Sequence, residues 1–231
     1  MADRKTTRGA GRRRSRVNRL VTVALASALV VLIAIGVLAQ SDPAEKAEAE
    51  VTVGPPVLRP DSHRLSSAPD GRVTFVEFLD FECEACGAVY PAIEQLRERY
   101  AGRVTFVARY FPLVGHFNSQ RAARAVEAAA RQGKFEAMYA KLFQTQPVWA
   151  EQQVPKDDVF RGYAAELGLD MKRWDADYGS DQVWARIQAD IDDGNALGLT
   201  GTPGFFLNGQ RIEPQSVQDL IDAFDQALAQ R

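Results

Sequence analysis

Apolar and polar residues follow two patterns along this chain, and each pattern predicts a different kind of element. Residues 72–81 (RVTFVEFLDF) and 103–111 (RVTFVARYF) are dense in β-branched and aromatic side chains, which is typical of buried strands. Between them, apolar residues recur at helical spacing at Val89, Ile93, Leu96 and Tyr100. A strand, a helix and a second strand at this spacing predict a parallel βαβ unit.

The stretch after the second strand, residues 118–199, contains no strand candidate. Helical patterns fill it at 119–132, 134–145, 157–167, 170–178 and 181–197, separated by Gly133, Pro147, Pro155, Gly168 and Gly179. Strand character returns in 204–212, where Asn208-Gly209 favours a hairpin, and an amphipathic helix follows at 215–229. We therefore predict an α/β fold with an all-helical insertion.

The first 39 residues differ from the rest of the chain in charge and hydropathy. Residues 1–19 hold eight of the 28 Lys and Arg residues against one acid, so the formal net charge of −2 hides an acidic remainder. This confinement of basic residues argues against a nucleic-acid-binding surface. Residues 20–39 carry no charge, and a helix of this length spans roughly 30 Å, the hydrocarbon thickness of a bilayer.

This N-terminal pattern predicts a single-pass protein of the cell membrane. Residues 1–19 would form a basic cytoplasmic head, residues 20–39 a transmembrane anchor, and everything after them would be extracytoplasmic. A cleaved signal peptide is the alternative, because small residues stand at the end of the apolar stretch. Both interpretations put the folded part in a compartment where disulfides persist.

Residues 40–70 are rich in Pro, Ala, Glu and Ser, and predict a tether to the folded part. A short edge strand near residues 57–59 is the only regular element we expect there. The remaining residues, about 160, are enough for one domain. The pattern divides them into a sheet-containing core, residues 71–117 and 199–231, and a helical insertion, residues 118–198.

The chain has only two cysteines, Cys83 and Cys86, in the stretch FECEACG after the first strand. A structural disulfide is one interpretation, but such a short loop constrains an unfolded chain only a little. A zinc site is another, but it needs four ligands, and the only histidines, His63 and His116, lie far apart in the sequence. A redox pair agrees best with the position. Free N–H groups at a helix start stabilise a Cys83 thiolate, and Cys86 lies one turn deeper, where it is shielded.

Thr202-Pro203, at the start of the late strand, points to the same kind of site. Proline has no N–H group for the ladder of a central strand. A cis peptide bond would accommodate the proline at the start of the strand and present the backbone of Thr202 to an extended substrate. A trans proline before an edge strand is the alternative.

Three motifs, VEFLDFECEACG, RYFPLVGH and GTPGFFLNG, resemble in their order and spacing the DsbA family of thioredoxin-fold thiol–disulfide oxidoreductases. More narrowly, they resemble its membrane-tethered bacterial members. The resemblance extends over roughly residues 56–230 and implies a thioredoxin fold, βαβ…ββα, with an inserted all-helical domain. His116, in the second motif, matches a family position just before a helix, where a purely structural residue is the alternative.

The same resemblance implies roles for five residues. Cys83 corresponds to the nucleophile and Cys86 to the resolving cysteine. Pro203 corresponds to the cis-proline that faces the disulfide, and Thr202 to the residue before it. Glu77 matches a buried acid beneath the active site, whose role would be proton transfer to the resolving cysteine. An exposed glutamate on an alternating strand is the alternative for Glu77.

The two residues between the cysteines depart from the family. The best-known members carry Pro-His there, whereas this chain has Glu84-Ala85. A carboxylate beside Cys83 opposes the thiolate, and the hydrogen-bond donor of the histidine is missing. We therefore predict that these redox-tuning positions give Cys83 a higher pKa, and the disulfide a more negative reduction potential, than in the Pro-His enzymes.

The predicted function is that of an extracytoplasmic thiol–disulfide oxidoreductase that introduces disulfides into exported proteins. Its partners would be exported proteins with free thiols and a quinone-linked membrane protein of the DsbB or VKOR type, which reoxidises it. We expect a monomer with no metal, no organic cofactor and no nucleic-acid partner. A reductase or isomerase of the same fold is the first alternative. A membrane-tethered binding or chaperone module with an incidental disulfide is the alternative from a different class.

Overall fold

The computed structural model describes residues 56–230. The predicted basic head, the predicted anchor and the first part of the predicted tether lie outside these residues. Within the described range, no helix combines the length and the apolar character needed to cross a bilayer.

A five-stranded mixed sheet lies at the centre of the described residues, with the strand order β1-β3-β2-β4-β5. Its strands are β1 (His63–Ser66), β2 (Thr74–Leu79), β3 (Thr105–Tyr110), β4 (Gly204–Leu207) and β5 (Gln210–Ile212). Strands β2 and β3 run parallel, whereas the other three pairs are antiparallel. The parallel pair is the predicted βαβ unit.

Seven helices complete the described part of the chain. Helix α1 (Glu84–Arg99) connects β2 to β3, and α7 (Val217–Ala229) follows β5. The other five helices all lie between β3 and β4: α2 (Ser119–Ala130), α3 (Phe135–Trp149), α4 (Asp157–Glu166), α5 (Met171–Tyr178) and α6 (Asp181–Ala196). The predicted α/β fold with an inserted block of helices is confirmed.

Strand β2 is buried on both faces, which explains its almost continuous apolar sequence. On one face, Phe75 and Leu79 join the larger hydrophobic core together with α1, α7 and the inserted helices. On the other face, Val76 and Phe78 join a smaller cluster that reaches α6. Because side chains alternate along a strand, Glu77 points to the same face as Phe75 and Leu79, beneath α1.

The predicted hairpin at Asn208-Gly209 is confirmed. Leu207 pairs with Gln210, so these two residues alone connect β4 to β5. Their φ angles are 50° and 80°, and both lie in the left-handed region that such a turn requires.

The predicted boundary of the tether at residue 70 is wrong, because residues 63–66 already belong to the sheet as the edge strand β1. No strand forms at residues 57–59. The Arg109 guanidinium instead holds this segment, since it donates to the carbonyls of Pro56 at 2.6 Å and Val57 at 3.1 Å. These contacts come from a residue distant in sequence, so no local pattern could have indicated them.

Helix α3 also extends past its predicted end. The pattern predicts a helix over 134–145 with Pro147 as a stop, but the helix continues to Trp149. A proline in a helix interior removes a hydrogen bond. Pro147 stands in the last turn, where the buried side chains of Gln146 and Trp149 anchor the backbone. The extension puts Gln146 on a helix that packs against the site described below.

A cluster of buried charges joins β3 to α6. The Arg109 guanidinium, with no exposed surface, donates to Asp190 Oδ1 at 2.8 and 2.5 Å and to Asp193 Oδ2 at 2.5 Å. Asp193 also pairs with Arg59 at 2.5 Å, and Asp190 Oδ2 accepts the N–H of Tyr110 at 3.1 Å. Since a buried ion without partners costs several kcal/mol, this cluster ties the last inserted helix to the sheet.

We expect Asp190→Ala to lower the free energy of unfolding by about 3–5 kcal/mol, because it removes a principal partner of the buried Arg109 charge. Asp192→Ala is the matched control, since Asp192 is an exposed carboxylate on the same helix. It should change stability by less than about 0.5 kcal/mol. Denaturant unfolding followed by circular dichroism measures both values. Equal losses in the two variants would contradict a structural role for the cluster.

Candidate active site

The two cysteines lie where β2 meets α1. Cys83 is the N-cap residue of α1, and Cys86 is the third residue of the helix. Both are free thiols. Cys83 keeps 7% of its surface exposed, whereas Cys86 keeps none. The predicted position of Cys83 at a helix start is confirmed, and Cys86, one turn deeper, is the less exposed of two buried cysteines.

The Thr202–Pro203 peptide bond is cis, as predicted, and faces Cys83. The Cys83 thiol donates to the Thr202 carbonyl with an Sγ–O distance of 3.5 Å. Thr202 Oγ1 is buried and has no hydrogen-bond partner in the described part of the chain. This hydroxyl is therefore available as a donor once the Cys83 thiol has lost its proton.

Hydrogen bonds lower the pKa of Cys83 to about 5. The strongest of them comes from the Cys86 thiol, and burial of the Cys83 sulfur opposes it. The Thr202 hydroxyl and the backbone N–H groups of Cys86 and Ala85 add to the stabilisation of the thiolate. At neutral pH the dominant form of Cys83 is thus the thiolate, which is the nucleophile in thiol–disulfide exchange.

The environment of Cys86 acts in the opposite direction. Burial raises the pKa of Cys86 well above its ordinary value, and the hydrogen bond to Cys83 raises it further. In their ionised forms, Glu77 and Cys83 act on Cys86 in the same sense. At neutral pH Cys83 is therefore ionised and keeps a small exposed area, while Cys86 is protonated and fully buried.

Glu77 is buried in β2, with 4% of its surface exposed, as predicted. Burial raises the pKa of Glu77 to about 8, and the charges of Glu94 and Cys83 raise it further. Glu77 lies on the strand face that α1 covers, and only its ionised form raises the pKa of Cys86. At neutral pH it is thus mostly a carboxylic acid that can supply a proton beneath the resolving cysteine.

The connection between β2 and α1 is held by contacts that the sequence patterns did not indicate. Asp80 is buried, and its Oδ1 accepts the N–H of Glu82 at 2.9 Å. Its Oδ2 accepts the N–H of Leu113 at 2.9 Å and contacts His116 Nδ1 at 2.6 Å. The backbone carbonyl of Asp80 accepts the N–H of Cys83 at 3.2 Å. His116 is therefore joined to the reactive cysteine through a single residue.

The Asp80–His116 pair also has shifted pKa values. Burial raises the pKa of Asp80 to about 6, although its hydrogen bonds lower it. Burial lowers the pKa of His116, but the hydrogen bond to Asp80 and the negative charges of Asp80, Cys83 and Glu82 outweigh it and raise the value. Protonated His116 is then a positive charge within electrostatic reach of the Cys83 thiolate.

Glu82 joins the same connection to the helical insertion. Its buried carboxylate accepts the N–H of Asn118 at 2.5 Å and the N–H of Glu151 at 3.2 Å. The sequence did carry a signal for Glu82 and for Asp80. Two acids in an apolar run directly before a cysteine are unusual, because buried carboxylates require partners.

A buried amide from α3 reaches this connection as well. Gln146 Nε2 donates to the carbonyls of Phe81 at 2.8 Å and of Cys83 at 2.9 Å. No sequence signal identifies Gln146, since its partners lie 65 and 63 positions away along the chain.

The predicted redox-tuning residues, Glu84 and Ala85, open α1 and are both exposed. Water and salt screen the charge of an exposed carboxylate such as Glu84. Ala85 instead contributes its backbone N–H to the Cys83 thiolate. These positions therefore act on Cys83 more through backbone geometry than through the charge of Glu84.

The raised pKa of Glu77 leads to a prediction about stability. An unfolded chain releases this proton near pH 4.5, whereas the folded protein keeps it up to about pH 8. The folded state thus binds more protons between these values, and stability falls as the pH rises through this window. Glu77→Gln removes this titration. From about pH 5 to about pH 8 the free energy of unfolding of the variant should therefore rise relative to that of the native protein.

Denaturant unfolding of the reduced protein at a series of pH values measures this difference. Glu98→Gln is the control, because Glu98 is an exposed glutamate on α1. The Glu98 variant should follow the native protein at every pH. A constant difference between Glu77→Gln and the native protein across the series would show that Glu77 does not titrate in this window.

Curated relatives of this chain include the Na(+)/H(+) antiporter NhaA 1 of Mycobacterium sp. (strain KMS). It is 35% identical over 170 residues, which make up 72% of this chain and 27% of the antiporter. The chain thus spans about a quarter of the length of this relative.

Solved structures give matches that cover nearly the whole of the other chain. A thioredoxin-like oxidoreductase from Silicibacter pomeroyi DSS-3 is 30% identical with a TM-score of 0.62, and the match covers 73% of this chain and 93% of that one. Wolbachia pipientis alpha-DsbA1 is 18% identical with a TM-score of 0.66, over 74% of this chain and 92% of that one. At this lower identity the likeness concerns the fold alone.

A family model described as thioredoxin matches residues 63–226, which include both cysteines, the cis-proline and all of the inserted helices. The chain belongs to the thioredoxin family and has the DsbA-like fold of thiol–disulfide oxidoreductases.

Proposed function

We propose that this thiol–disulfide oxidoreductase works as an extracytoplasmic oxidase, which donates a Cys83–Cys86 disulfide to exported proteins. The observation that carries the proposal is the contrast between the two thiols at the start of α1. Cys83 is acidic and faces the cis-proline, while Cys86 is buried and protonated. A stabilised Cys83 thiolate favours the reduced form, so the disulfide of such a pair accepts electrons readily.

Oxidation of a substrate takes two exchanges. A substrate thiolate attacks Cys83 Sγ, a mixed disulfide forms, and the Cys83–Cys86 bond breaks with Cys86 as the leaving thiolate. A second substrate thiolate then attacks the substrate sulfur of the mixed disulfide. Cys83 leaves as a thiolate, the substrate gains a disulfide, and two electrons remain on the enzyme as its dithiol form.

Glu77 serves the first exchange as a proton donor. The leaving Cys86 thiolate is unfavourable in its buried position, as the raised pKa of this thiol indicates. Protonated Glu77, on the strand face that α1 covers, would supply the proton that neutralises it. When the disulfide forms again, the same carboxylate takes the proton back.

An apolar groove along α1, the helix that begins at the cysteines, supports a polypeptide substrate. Its volume is about 260 Å³, and its walls come from α1, β4 and α7, with Val89, Ile93, Phe205 and Leu220 among them. Unfolded exported proteins expose apolar side chains, which this groove would receive while the substrate backbone pairs with Thr202.

The location and the partners belong to the same proposal. The basic head and the uncharged stretch at 20–39 support a single membrane anchor with the catalytic residues outside the cytoplasm. A quinone-linked membrane protein of the DsbB or VKOR type would restore the disulfide after each cycle. The antiport named for the curated relatives is not part of the proposal, since the match covers 27% of the first of them.

The test compares the native protein with Cys83→Ser and Cys86→Ser in the oxidation of a reduced, unfolded protein substrate. We expect Cys83→Ser to abolish oxidation, because no sulfur remains for the substrate to attack. Cys86→Ser, first converted to a Cys83–glutathione mixed disulfide, should exchange glutathione for a single-cysteine substrate and accumulate the Cys83–substrate mixed disulfide, detectable by non-reducing electrophoresis. Unchanged activity in Cys83→Ser would favour a binding or chaperone module.

Thiol trapping in intact cells separates an oxidase from a reductase of the same fold. An oxidase is expected to keep Cys83 and Cys86 mostly oxidised at steady state, and a reductase to keep them mostly reduced. Loss of the oxidised form on removal of a quinone-linked membrane partner would further support the oxidase direction.

The reduction potential of the pair should lie between those of DsbA and thioredoxin. A Cys83 pKa of about 5 lies between their nucleophile values of about 3.5 and about 7. We therefore expect a potential between about −120 and about −270 mV. Equilibration with glutathione buffers measures it. The double variant Glu84→Pro/Ala85→His should move the potential toward DsbA, and a native value near about −120 mV would contradict the expected effect of Glu84-Ala85.

A further inference from the structure

Gln146 makes a direct link from the helical insertion to the reactive cysteine. Its side chain leaves α3, is 8% exposed, and ends at the start of α1. Both N–H bonds of Nε2 are used, one on the Phe81 carbonyl at 2.8 Å and one on the Cys83 carbonyl at 2.9 Å. Because both partners are carbonyls, only the NH₂ side of the amide can face them, so the orientation of the amide is determined.

Gly87 is shaped to accept this amide. A Cβ atom at Gly87 would overlap Gln146 Oε1 and would lie 2.7 Å from Cδ, well inside van der Waals contact. Gly87 has ordinary helical φ, so a left-handed conformation does not account for the glycine. The missing side chain leaves the space in which the amide reaches the first turn of α1.

We propose that Gln146 is a positioning residue that holds the Phe81–Cys83 backbone so that the Cys83 sulfur keeps its thiolate-stabilising donors. Without the amide, the buried Phe81 carbonyl would lose its partner, and an unpaired buried carbonyl is costly. The Cys83 carbonyl would keep only the N–H of Gly87, at 3.0 Å. The connection would then rearrange, and the sulfur would move away from the N–H groups of Ala85 and Cys86. The inference rests on the proposed function only through the role of Cys83 as the nucleophile.

The ionisable groups around Cys83 come from three parts of the structure. Cys86 faces it from α1, Glu77 from β2, and His116 from the segment between β3 and α2. Asp80 and Glu82 act on His116 from the connection between β2 and α1. Gln146 is neutral, so its replacement by another neutral side chain adds or removes no charge. A change in Cys83 acidity would therefore report a change in geometry.

The test is the rate of alkylation of reduced full-length protein by iodoacetamide as a function of pH. Cys83 is the reactive thiol, since Cys86 is buried and protonated. Gln146→Met keeps the side-chain volume but removes both donors. We expect the midpoint of its profile to rise, and the rate below the native midpoint to fall about 3- to 10-fold, the range of one net hydrogen-bond contribution.

Gly87→Ala reaches the same contact from the other side. The added methyl group displaces the amide, so the midpoint should again rise. In a Gln146→Ala background, Gly87→Ala should have no further effect, because there is no amide left to displace. Such non-additivity is expected of two residues that act through one contact.

Thr145→Ala is the matched control, because within residues 56–230 the Thr145 hydroxyl bonds only to carbonyls of its own helix. Its profile should coincide with the native one. A folded Gln146→Met protein with the native midpoint would overturn the proposal. If Gln146→Met does not fold, the Gly87→Ala variant tests the proposal instead. A Gly87→Ala profile with the native midpoint would then overturn it. Because alkylation measures the acidity of Cys83 and not turnover, failure of this test is distinct from failure of the exchange function.

Discussion

Hydrogen bonds to four residues, Asp80 to Cys83, hold the sulfur of Cys83 at the start of α1. The side chains of Asp80 and Glu82 and the carbonyls of Phe81 and Cys83 each have a partner in the segments that follow β3. The hydrogen-bond donors lower the pKa of Cys83 only while the sulfur stays beside them. The acidity of the nucleophile therefore depends on contacts made by residues that never touch the sulfur.

The three acids beside the site have different environments, and these decide what each can do. Asp80 and Glu82 accept backbone N–H groups, which lower their pKa values against the effect of burial. The main influences on Glu77 are burial and two negative neighbours, and all three raise its pKa. Fixed hydrogen-bond donors make Asp80 and Glu82 parts of the framework. Glu77, in contrast, is left free to gain and lose a proton near neutral pH.

The parts of the site that the sequence predicts are those encoded by neighbouring residues. The apolar run before Cys83 and the helical spacing after it put the cysteine pair at a helix start. The position of Pro203 at a strand start indicated a cis bond. Glu77 could be judged buried from the apolar residues beside it. In each case a few adjacent positions carry the whole pattern, so no tertiary information was needed.

The parts that could not be predicted depend on contacts between distant segments. Strand β1 has only four residues and no clear alternation, so its pairing with β3 determines it. Gln146 stood beyond the predicted end of its helix, because Pro147 gave a strong local stop signal. Packing of the last turn overrides that signal. A long-range interaction of this kind produces no periodic spacing of apolar residues in the sequence.

The Glu84-Ala85 pair shows how the charge and the backbone of a residue can have opposed effects. An acid in the first turn is favourable for a helix, but a carboxylate beside Cys83 opposes a second negative charge on the sulfur. The stabilisation of the Cys83 thiolate comes from the Cys86 thiol, the Thr202 hydroxyl and two backbone N–H groups, and burial of the sulfur opposes it. An exposed carboxylate in water interacts more weakly than these direct bonds. A chain that lacks the Pro-His donor can therefore keep an acidic cysteine, provided that its backbone at the helix start is held in place from outside.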